Sequence, residues 1–304
     1  MQVSGVTSGA LFDPPSGSIR QVLGVPGGAR FGSPIVSGLD NAWISPDGKS
    51  AVTLAAGQVS GIRIQADGGY STTPWGPAPD KFKAVWSRDG KAAVGIYPQE
   101  DGTAAFQVWR VEQSSVDGPI PITLVYASIR SLAVRARTSE IFAAVQDANA
   151  GGLYSVAFSG NSSQLNSQIG LEALALDTVD TLLYGFTSTG NTLLTFNTAT
   201  DSLPVAMPAQ VSTEVTCPCS LAPSTDGGHL ALAYAATDQL LVYETATANP
   251  PAVILLEGRP EGLDAYGSAG LFTLALRRQD AASALLLDVK SGSVYFVPAS
   301  PPAN

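Results

Sequence analysis

Apolar and polar residues alternate in short blocks along the chain, and one order of blocks recurs. The stretch WISPDGKSAVTL opens at Trp43, and VWSRDGKAAVGI opens at Val85. Each contains a short apolar run, an Asp-Gly pair and a longer apolar run. Because Gly adopts the positive φ of a tight turn without steric cost, this order predicts a β-hairpin.

The spacing of the hairpins indicates a repeat. Asp47 and Asp89 lie 42 residues apart (89 − 47), and a third copy, PSTDGGHLALAY, carries Asp226. The 137 residues from Asp89 to Asp226 (226 − 89) equal three steps of roughly 46, close to the roughly 40–45 of a four-stranded propeller blade. Related runs without the Asp-Gly pair follow the same rhythm: SLAVRARTSEIFAAV, LEALALDTVDTLLYGF and EGLDAYGSAGLFTLAL.

Each hairpin is followed by a third run, such as FQVWRVE, and a weaker fourth, such as PITLVYA. None of them shows a 3.6-residue stripe, so the pattern predicts four short strands per unit and an all-β propeller. We expect a single domain over residues 1–304. It has a partial unit at 1–38, repeat units that start near 39, 82, 129, 171, 217 and 261, and a tail at 299–304.

The number of blades depends on the N-terminal unit. We interpret GALFDPPSGSIRQVLG, from Gly9, as the third and fourth strands of a blade whose first half is missing. Alone or with a strand at Val3–Val6, it makes a partial first blade and a seven-bladed ring, which we prefer. The alternative is a six-bladed ring with an N-terminal cap.

Composition narrows the class of protein. Charged residues make up 13% of the chain, about half the usual quarter, and the 31 Gly and 21 Pro fit a turn-rich all-β chain. The net charge of −9 and the absence of a basic stripe argue against nucleic-acid binding. No apolar run approaches the roughly 20 residues of a membrane-spanning helix. We expect a monomer.

The N-terminal stretch MQVSGVTSGALFD has no basic start and no long apolar core, so it is not typical of a signal peptide. The low Lys content and the abundance of small residues favour a mature exported domain, periplasmic or secreted. A cytoplasmic protein is the alternative.

The turn sequences resemble the WD-like propeller repeats of bacterial TolB-type domains, in which Ser-Pro-Asp-Gly-Lys joins the first two strands of a blade. Ser45–Lys49 match that run fully, Ser87–Lys91 match at four of five positions, and Asp226-Gly227 match in part. The resemblance implies a propeller fold. It leaves function open, since such propellers include scaffolds, receptors and enzymes.

Conventional catalytic sets are missing from the sequence. The single histidine, His229, follows a turn and is expected at the rim, and there is no Gly-x-Ser-x-Gly elbow. Cys217 and Cys219 flank one proline, and they are interpreted as a structural pair, a strained disulfide or a redox or metal site.

The loops that lead into the innermost strands are expected to meet around the mouth of the central channel. Aligning the units places one set of residues there: Asp40, Asn41, Lys81, Arg130, Glu172, Cys219 and Glu261. Oxygen ligands suit Ca²⁺ or Mg²⁺, so Asp40, Glu172 and Glu261 are the candidate metal ligands, although solvated rim residues explain them as simply.

The four tryptophans fall into two groups. Trp43, Trp86 and Trp109 lie in predicted strands and are expected between blades. Trp75 lies in the Pro- and Gly-rich stretch STTPWGPAPD, where it either anchors a partner or packs on its own blade.

Two functional hypotheses follow. The first is a non-enzymatic propeller scaffold that binds a protein or peptide partner on a loop face and needs no cofactor. The second is a metal-dependent, lactonase-like hydrolase at the channel mouth, in which Lys81 or Arg130 stabilises a developing oxyanion.

Overall fold

The computed structural model describes residues 7–25, 27–65, 68–146, 151–167, 170–187, 192–198, 205–207, 218–234, 237–247, 249–267, 270–277 and 284–298. They form seven antiparallel sheets, each built from consecutive strands of the chain. The first sheet has three strands in this part of the chain, and the other six have four. This arrangement is a seven-bladed β-propeller, as the repeat predicted.

The strands follow one another blade by blade. Blade 1 contains β1 (Thr7–Asp13), β2 (Ser18–Leu23) and β3 (Arg30–Ser37). Blade 2 contains β4 (Asn41–Ile44), β5 (Ser50–Ala55), β6 (Gln58–Ile64) and β7 (Tyr70–Pro77). Blade 3 contains β8 (Lys83–Trp86), β9 (Ala92–Pro98), β10 (Thr103–Arg110) and β11 (Ser115–Val125). Blade 4 contains β12 (Ile129–Arg135), β13 (Glu140–Gln146), β14 (Gly151–Ala157) and β15 (Ser162–Asn166).

The last three blades repeat this order. Blade 5 contains β16 (Ala173–Leu176), β17 (Leu182–Thr187), β18 (Thr192–Asn197) and β19 (Val205–Met207). Blade 6 contains β20 (Pro218–Pro223), β21 (His229–Tyr234), β22 (Gln239–Glu244) and β23 (Ala252–Leu255). Blade 7 contains β24 (Arg259–Ala265), β25 (Leu271–Arg277), β26 (Ala284–Asp288) and β27 (Ser293–Val297). Two short 3-10 turns occur at Pro14–Ser16 and Tyr126–Ser128. In the described ranges, no helix is long and apolar enough to cross a membrane.

The structure corrects the strand assignment of the N-terminal unit. The residues GALFDPPSGSIRQVLG form β1 and β2, and Leu11, Phe12 and Pro14 line the central channel. They are therefore the first and second strands of blade 1, so the interpretation as third and fourth strands is wrong. The suggested strand at Val3–Val6 lies outside the described residues. The error arose because Asp-Pro-Pro-Ser-Gly stands here in place of the Ser-x-Asp-Gly motif. It nevertheless forms the turn between the first two strands, and the Ser16 hydroxyl donates a hydrogen bond to Asp13 at 2.6 Å.

The Ser-x-Asp-Gly turn of blade 2 is held by its own side chains. The Ser45 hydroxyl donates to Asp47 Oδ1 at 2.6 Å and accepts the Ser50 N–H at 2.9 Å. Asp47 Oδ1 also accepts the Lys49 N–H at 3.0 Å. Gly48 adopts φ 68°, the left-handed region that a Cβ would disfavour. The motif is thus a small hydrogen-bonded unit that fixes how β4 turns into β5.

Blades 3 and 6 contain the same turn with the same bonds. Ser87 donates to Asp89 at 2.7 Å, and Ser224 donates to Asp226 at 2.6 Å. The glycines after these aspartates adopt φ 68° and 70°. The sequence repeat therefore reflects a repeated local structure.

Apolar side chains fill every space between neighbouring blades. Seven clusters of buried residues are present in the described chain, one for each pair of adjacent blades. The cluster between the last and first blades contains Tyr266, Leu286 and Val297 from blade 7 and Leu11 and Phe31 from blade 1. Apolar packing between these blades therefore closes the ring.

The contact between blades 2 and 3 depends on a glycine. Trp109 is 1% exposed, and its ring lies flat against Gly61 of β6. A Cβ at Gly61 would lie 2.7–2.8 Å from three atoms of that ring, which is too close. Trp109 also makes edge contacts with Trp75 and Trp86 at ring-centroid distances of 6.4 and 5.7 Å.

We predict that Gly61→Ala lowers the free energy of unfolding by about 1–3 kcal/mol, because the added methyl group overpacks a core. Gly28→Ala is the matched control, since its Cβ would meet only one atom within contact range, at 3.9 Å. Chemical unfolding of both variants measures the difference. Equal stability of Gly61→Ala and wild type would show that Trp109 is not tightly held.

Candidate functional site

The polar residues expected at one mouth of the channel do lie where the chain enters the first strand of a blade. Asp40 precedes β4, and its Oδ2 accepts the Ala56 N–H at 2.9 Å. The Asn41 side chain accepts the N–H of the next residue at 2.8 Å. The carbonyl of Lys81 accepts a hydrogen bond from the Tyr126 hydroxyl at 2.8 Å. Asp40 and Asn41 are therefore engaged in local hydrogen bonds.

The other residues of that set are spread over separate blades. Arg130 and Glu261 are exposed near the starts of β12 and β24, and Glu172 is half-buried just before β16. Across the described part of the chain, no group of three His, Cys, Asp or Glu side chains is placed to hold a metal ion. Asp40, Glu172 and Glu261 therefore do not form a ligand set in this structure.

For Trp75, which was expected either to anchor a partner or to pack on its own blade, the structure shows packing in the interior. It lies in β7, is only 8% exposed, and packs edge-on against Phe82 and Trp109 at centroid distances of 6.0 and 6.4 Å. It therefore belongs to the core between blades 2 and 3 and is not an exposed partner anchor. The Pro- and Gly-rich sequence suggested a loop, but the flanking residues pair with β6 as an outer strand.

His229 and the cysteines contribute little to a described site. His229 begins β21 directly after the turn, and its backbone N–H donates to Ser224 Oγ at 3.0 Å. It is half-buried next to the turn, as expected. Cys217 and the side chain of Cys219 lie outside the described residues, so the three interpretations of that pair stay predictions.

A cavity of about 480 Å³ occupies the central channel. The first strands of all seven blades contribute to its wall, which is mainly aliphatic and aromatic. Trp43 and Trp86 face it from blades 2 and 3, and the Trp86 indole N–H donates to the Trp43 carbonyl at 2.9 Å. Its size and apolar lining are typical of pockets that bind small ligands.

The cavity extends toward the end of the channel where first strands turn into second strands. Pro14, Pro46, Arg88 and Pro223, which lie in or beside these turns, all line it. None of the residues expected at the opposite mouth is among its lining residues. The candidate site therefore runs along the channel and reaches the end opposite to the predicted mouth.

Arg88 brings a positive charge to this apolar wall. It occupies the turn position where Pro46 stands in blade 2. Its Nε and Nη2 atoms are buried and have no hydrogen-bond partner among the described residues. Burial lowers the pKa of Arg88 to about 10, although Asp264 and Asp226 oppose the effect, so the side chain remains a cation at neutral pH.

Asp264 brings a negative charge from blade 7. It lies next to the last residue of β24, where its side chain is exposed and lines the channel. In the described part of the chain, no salt bridge or side-chain hydrogen bond engages this carboxylate. Burial raises the pKa of Asp264, and Arg88 partly offsets the rise.

Arg88 and Asp264 therefore attract each other without forming a contact ion pair. Their nitrogen and oxygen atoms are more than 4.0 Å apart, the limit for such a pair. Asp226, the other acid that acts on Arg88, is held by Ser224 at 2.6 Å and lies 4.0 Å from Lys290. The channel thus presents two opposite charges that the described residues leave open to a ligand.

A second cavity differs in character. It measures about 500 Å³ and lies across the turns of blades 3, 4 and 5, where charged residues line it. Several of these charges already have partners. Lys91 lies 3.5 Å from Glu112, and Arg110 lies 3.1 Å from Asp117. This groove is a solvated, internally paired surface.

Two departures from the repeat pattern in the sequence mark this site, although the alignment of the repeat units did not point to them. Arg88 replaces the proline of the motif in one unit, and Asp264 interrupts the otherwise non-polar stretch GLDAYG. Both signals were visible, but only ring closure shows that blades 3 and 7 face the same cavity.

The fold resembles several solved propellers at low sequence identity. A protein of unknown function from Desulfotomaculum acetoxidans DSM 771 aligns with a TM-score of 0.64 and 11% identity over 96% of this chain and 99% of its own. Streptogramin B lyase aligns with a TM-score of 0.60 and 10% identity over 87% and 85%. TolB from Acinetobacter baumannii aligns with a TM-score of 0.59 and 10% identity over 87% and 65%.

These similarities confirm the expected resemblance to TolB-type propellers at the level of fold. No protein-family model matches the sequence, and no curated protein matches it. Because neighbours with such different names share the fold, the function has to be inferred from the site.

We predict that Asp264→Asn changes how stability depends on pH. Because folding raises the pKa of Asp264, the free energy of unfolding falls as pH rises above the ordinary aspartate pKa of about 4. Asn resembles the protonated acid, so the variant should have a higher Tm than wild type at pH 7.5. The gain should be small, because the side chain of Asp264 is exposed to solvent that screens its charge. The difference should vanish near pH 4.

Thermal unfolding from pH 4 to pH 8 measures this effect. Asp80→Asn, which removes an exposed loop carboxylate, controls for the change in net charge. Lower stability of the variant at pH 7.5 would contradict the prediction. It would show that the attraction between Arg88 and the Asp264 carboxylate outweighs the desolvation cost of that carboxylate.

Proposed function

We propose that this protein is a non-enzymatic β-propeller scaffold that binds a protein or peptide partner at the end of its channel lined by the turns. The observation that carries the proposal is the cavity of about 480 Å³ that the first strands of all seven blades line with apolar and aromatic side chains. A partner segment that enters this end would bury its side chains against Trp43 and Trp86.

The chemistry of the wall supports binding without turnover. Ser45 lines the cavity, but its hydroxyl is engaged by Asp47 at 2.6 Å and by the Ser50 N–H at 2.9 Å. Arg88 and Asp264 provide charge for recognition. Rigid aromatic anchors with a few polar groups are typical of binding pockets.

The proposed partner is a protein or peptide, as the sequence predicted, but the proposed binding surface is the channel and not a loop face. The sequence suggested a loop face with Trp75 as anchor, whereas Trp75 is 8% exposed in the interior. Trp43 and Trp86 take that role, because both line the cavity. An exported location stays a prediction, as does a monomeric state.

We predict that peptides selected from a random library for binding to the purified protein change its tryptophan fluorescence, because they contact Trp43 and Trp86 in the channel. Wild type and Trp75→Phe should give the same response, because Trp75 is away from the cavity. The double variant Trp43→Phe with Trp86→Phe should lose most of it. Fluorescence titrations with one selected peptide measure the response of all three proteins.

Two results would contradict the proposed function. One is that no peptide binds the folded protein in a concentration-dependent manner. The other is that the double variant responds like wild type, which would move the binding surface away from the channel.

We also predict that the protein is stable without added metal. An ion held at about 100 times its dissociation constant adds roughly 2.7 kcal/mol to the free energy of unfolding. Thermal unfolding with EDTA, Ca²⁺ or Mg²⁺ should therefore give the same Tm. A clear rise with one ion would favour the hydrolase hypothesis and the carboxylates Asp40, Glu172 and Glu261.

A further inference from the structure

We propose that the channel cavity binds a small zwitterion, an amino acid or short peptide whose ammonium group faces Asp264 and whose carboxylate faces Arg88. The juxtaposition of these two unpaired, opposite charges in one apolar cavity carries the inference. The inference rests on the channel site of the proposed function and adds the chemical class of the ligand.

Both charges are placed for a ligand rather than for each other. Arg88 comes from a turn of blade 3 and Asp264 from the first strand of blade 7, and both line the cavity. No described residue forms an ion pair with either side chain. An apolar wall cannot compensate a charge for the loss of its hydration, whereas an opposite charge on a ligand can.

The sum of the charges favours a zwitterion over a simple ion. An anion would meet Arg88 but lie near the carboxylate of Asp264, and a cation would meet Asp264 but lie near Arg88. A zwitterion satisfies both and adds no net charge to a cavity that is mostly apolar. Charge-assisted hydrogen bonds to a carboxylate suit the planar guanidinium of arginine.

The remaining wall indicates the side chain of the ligand. Phe12, Trp43, Trp86 and Tyr266 line the same cavity. Aromatic groups pack edge-on or offset against such rings, and the contact is favourable beyond the apolar area that it buries. The cavity therefore favours an aromatic or large aliphatic side chain.

Isothermal titration with three related probes tests the charge requirement. L-Phenylalanine carries both charges, L-phenylalaninamide lacks the carboxylate, and N-acetyl-L-phenylalanine lacks the ammonium group. We expect wild type to bind the zwitterion at least about tenfold more tightly than either analogue, which corresponds to 1.4 kcal/mol. The dipeptide Ala-Phe, run in parallel, distinguishes a free amino acid from a short peptide as the better ligand.

Two variants assign the charges to residues. Arg88→Gln should remove the preference for phenylalanine over its amide and keep the preference over the acetyl derivative. Asp264→Asn should do the reverse. Arg88→Lys, which retains a positive charge, should keep part of the preference over the amide, and thermal unfolding confirms that each variant is folded.

Matched controls lie outside the channel. Arg137→Gln and Asp80→Asn each remove one exposed charge elsewhere in the chain, and they should bind all probes as wild type does. Equal affinity of wild type for the three probes would overturn the inference, as would no binding of either zwitterion at millimolar concentration.

The result separates this inference from the proposed function. If the zwitterions bind with the expected charge dependence but library peptides do not bind, the small-ligand site stands and the partner proposal fails. If library peptides bind in the channel and the charges make no difference, the partner proposal stands and the zwitterion inference fails.

Discussion

Apolar packing between neighbouring blades is the interaction on which the rest of the structure depends. Each sheet places side chains on both faces, and each face is covered by the next blade, so no sheet is stable by itself. Seven such contacts close a ring, and the ring brings the first strands together around one axis. The cavity, its aromatic wall and its two charges all follow from that closure.

Much of this architecture could be predicted from short stretches of sequence. The Ser-x-Asp-Gly runs specify their turns locally, because the Ser45, Asp47 and Gly48 groups satisfy one another within a few residues. Alternating apolar runs specify the strands. The role of Trp109 between blades was predicted on the same grounds and is confirmed, since it is 1% exposed.

The errors arose where the sequence lacks local punctuation or where the outcome depends on distant residues. The first blade carries Asp-Pro-Pro-Ser-Gly in place of the motif, so its strand order was misassigned. Trp75 lies among prolines and glycines that suggest a loop, yet tertiary packing places it in an outer strand. Arg88 and Asp264 could not be identified from the sequence for a similar reason: they face one cavity only because blades 3 and 7 belong to the same ring.

A crystal structure of the protein grown with 4-bromo-L-phenylalanine tests the central claim, that the channel is a binding site for a ligand with two opposite charges. The account predicts an anomalous bromine peak inside the channel among Trp43, Trp86 and Tyr266, with the ligand carboxylate on Arg88 and its ammonium group on Asp264. A channel without that peak, in which Arg88 and Asp264 bond directly to each other, would contradict it.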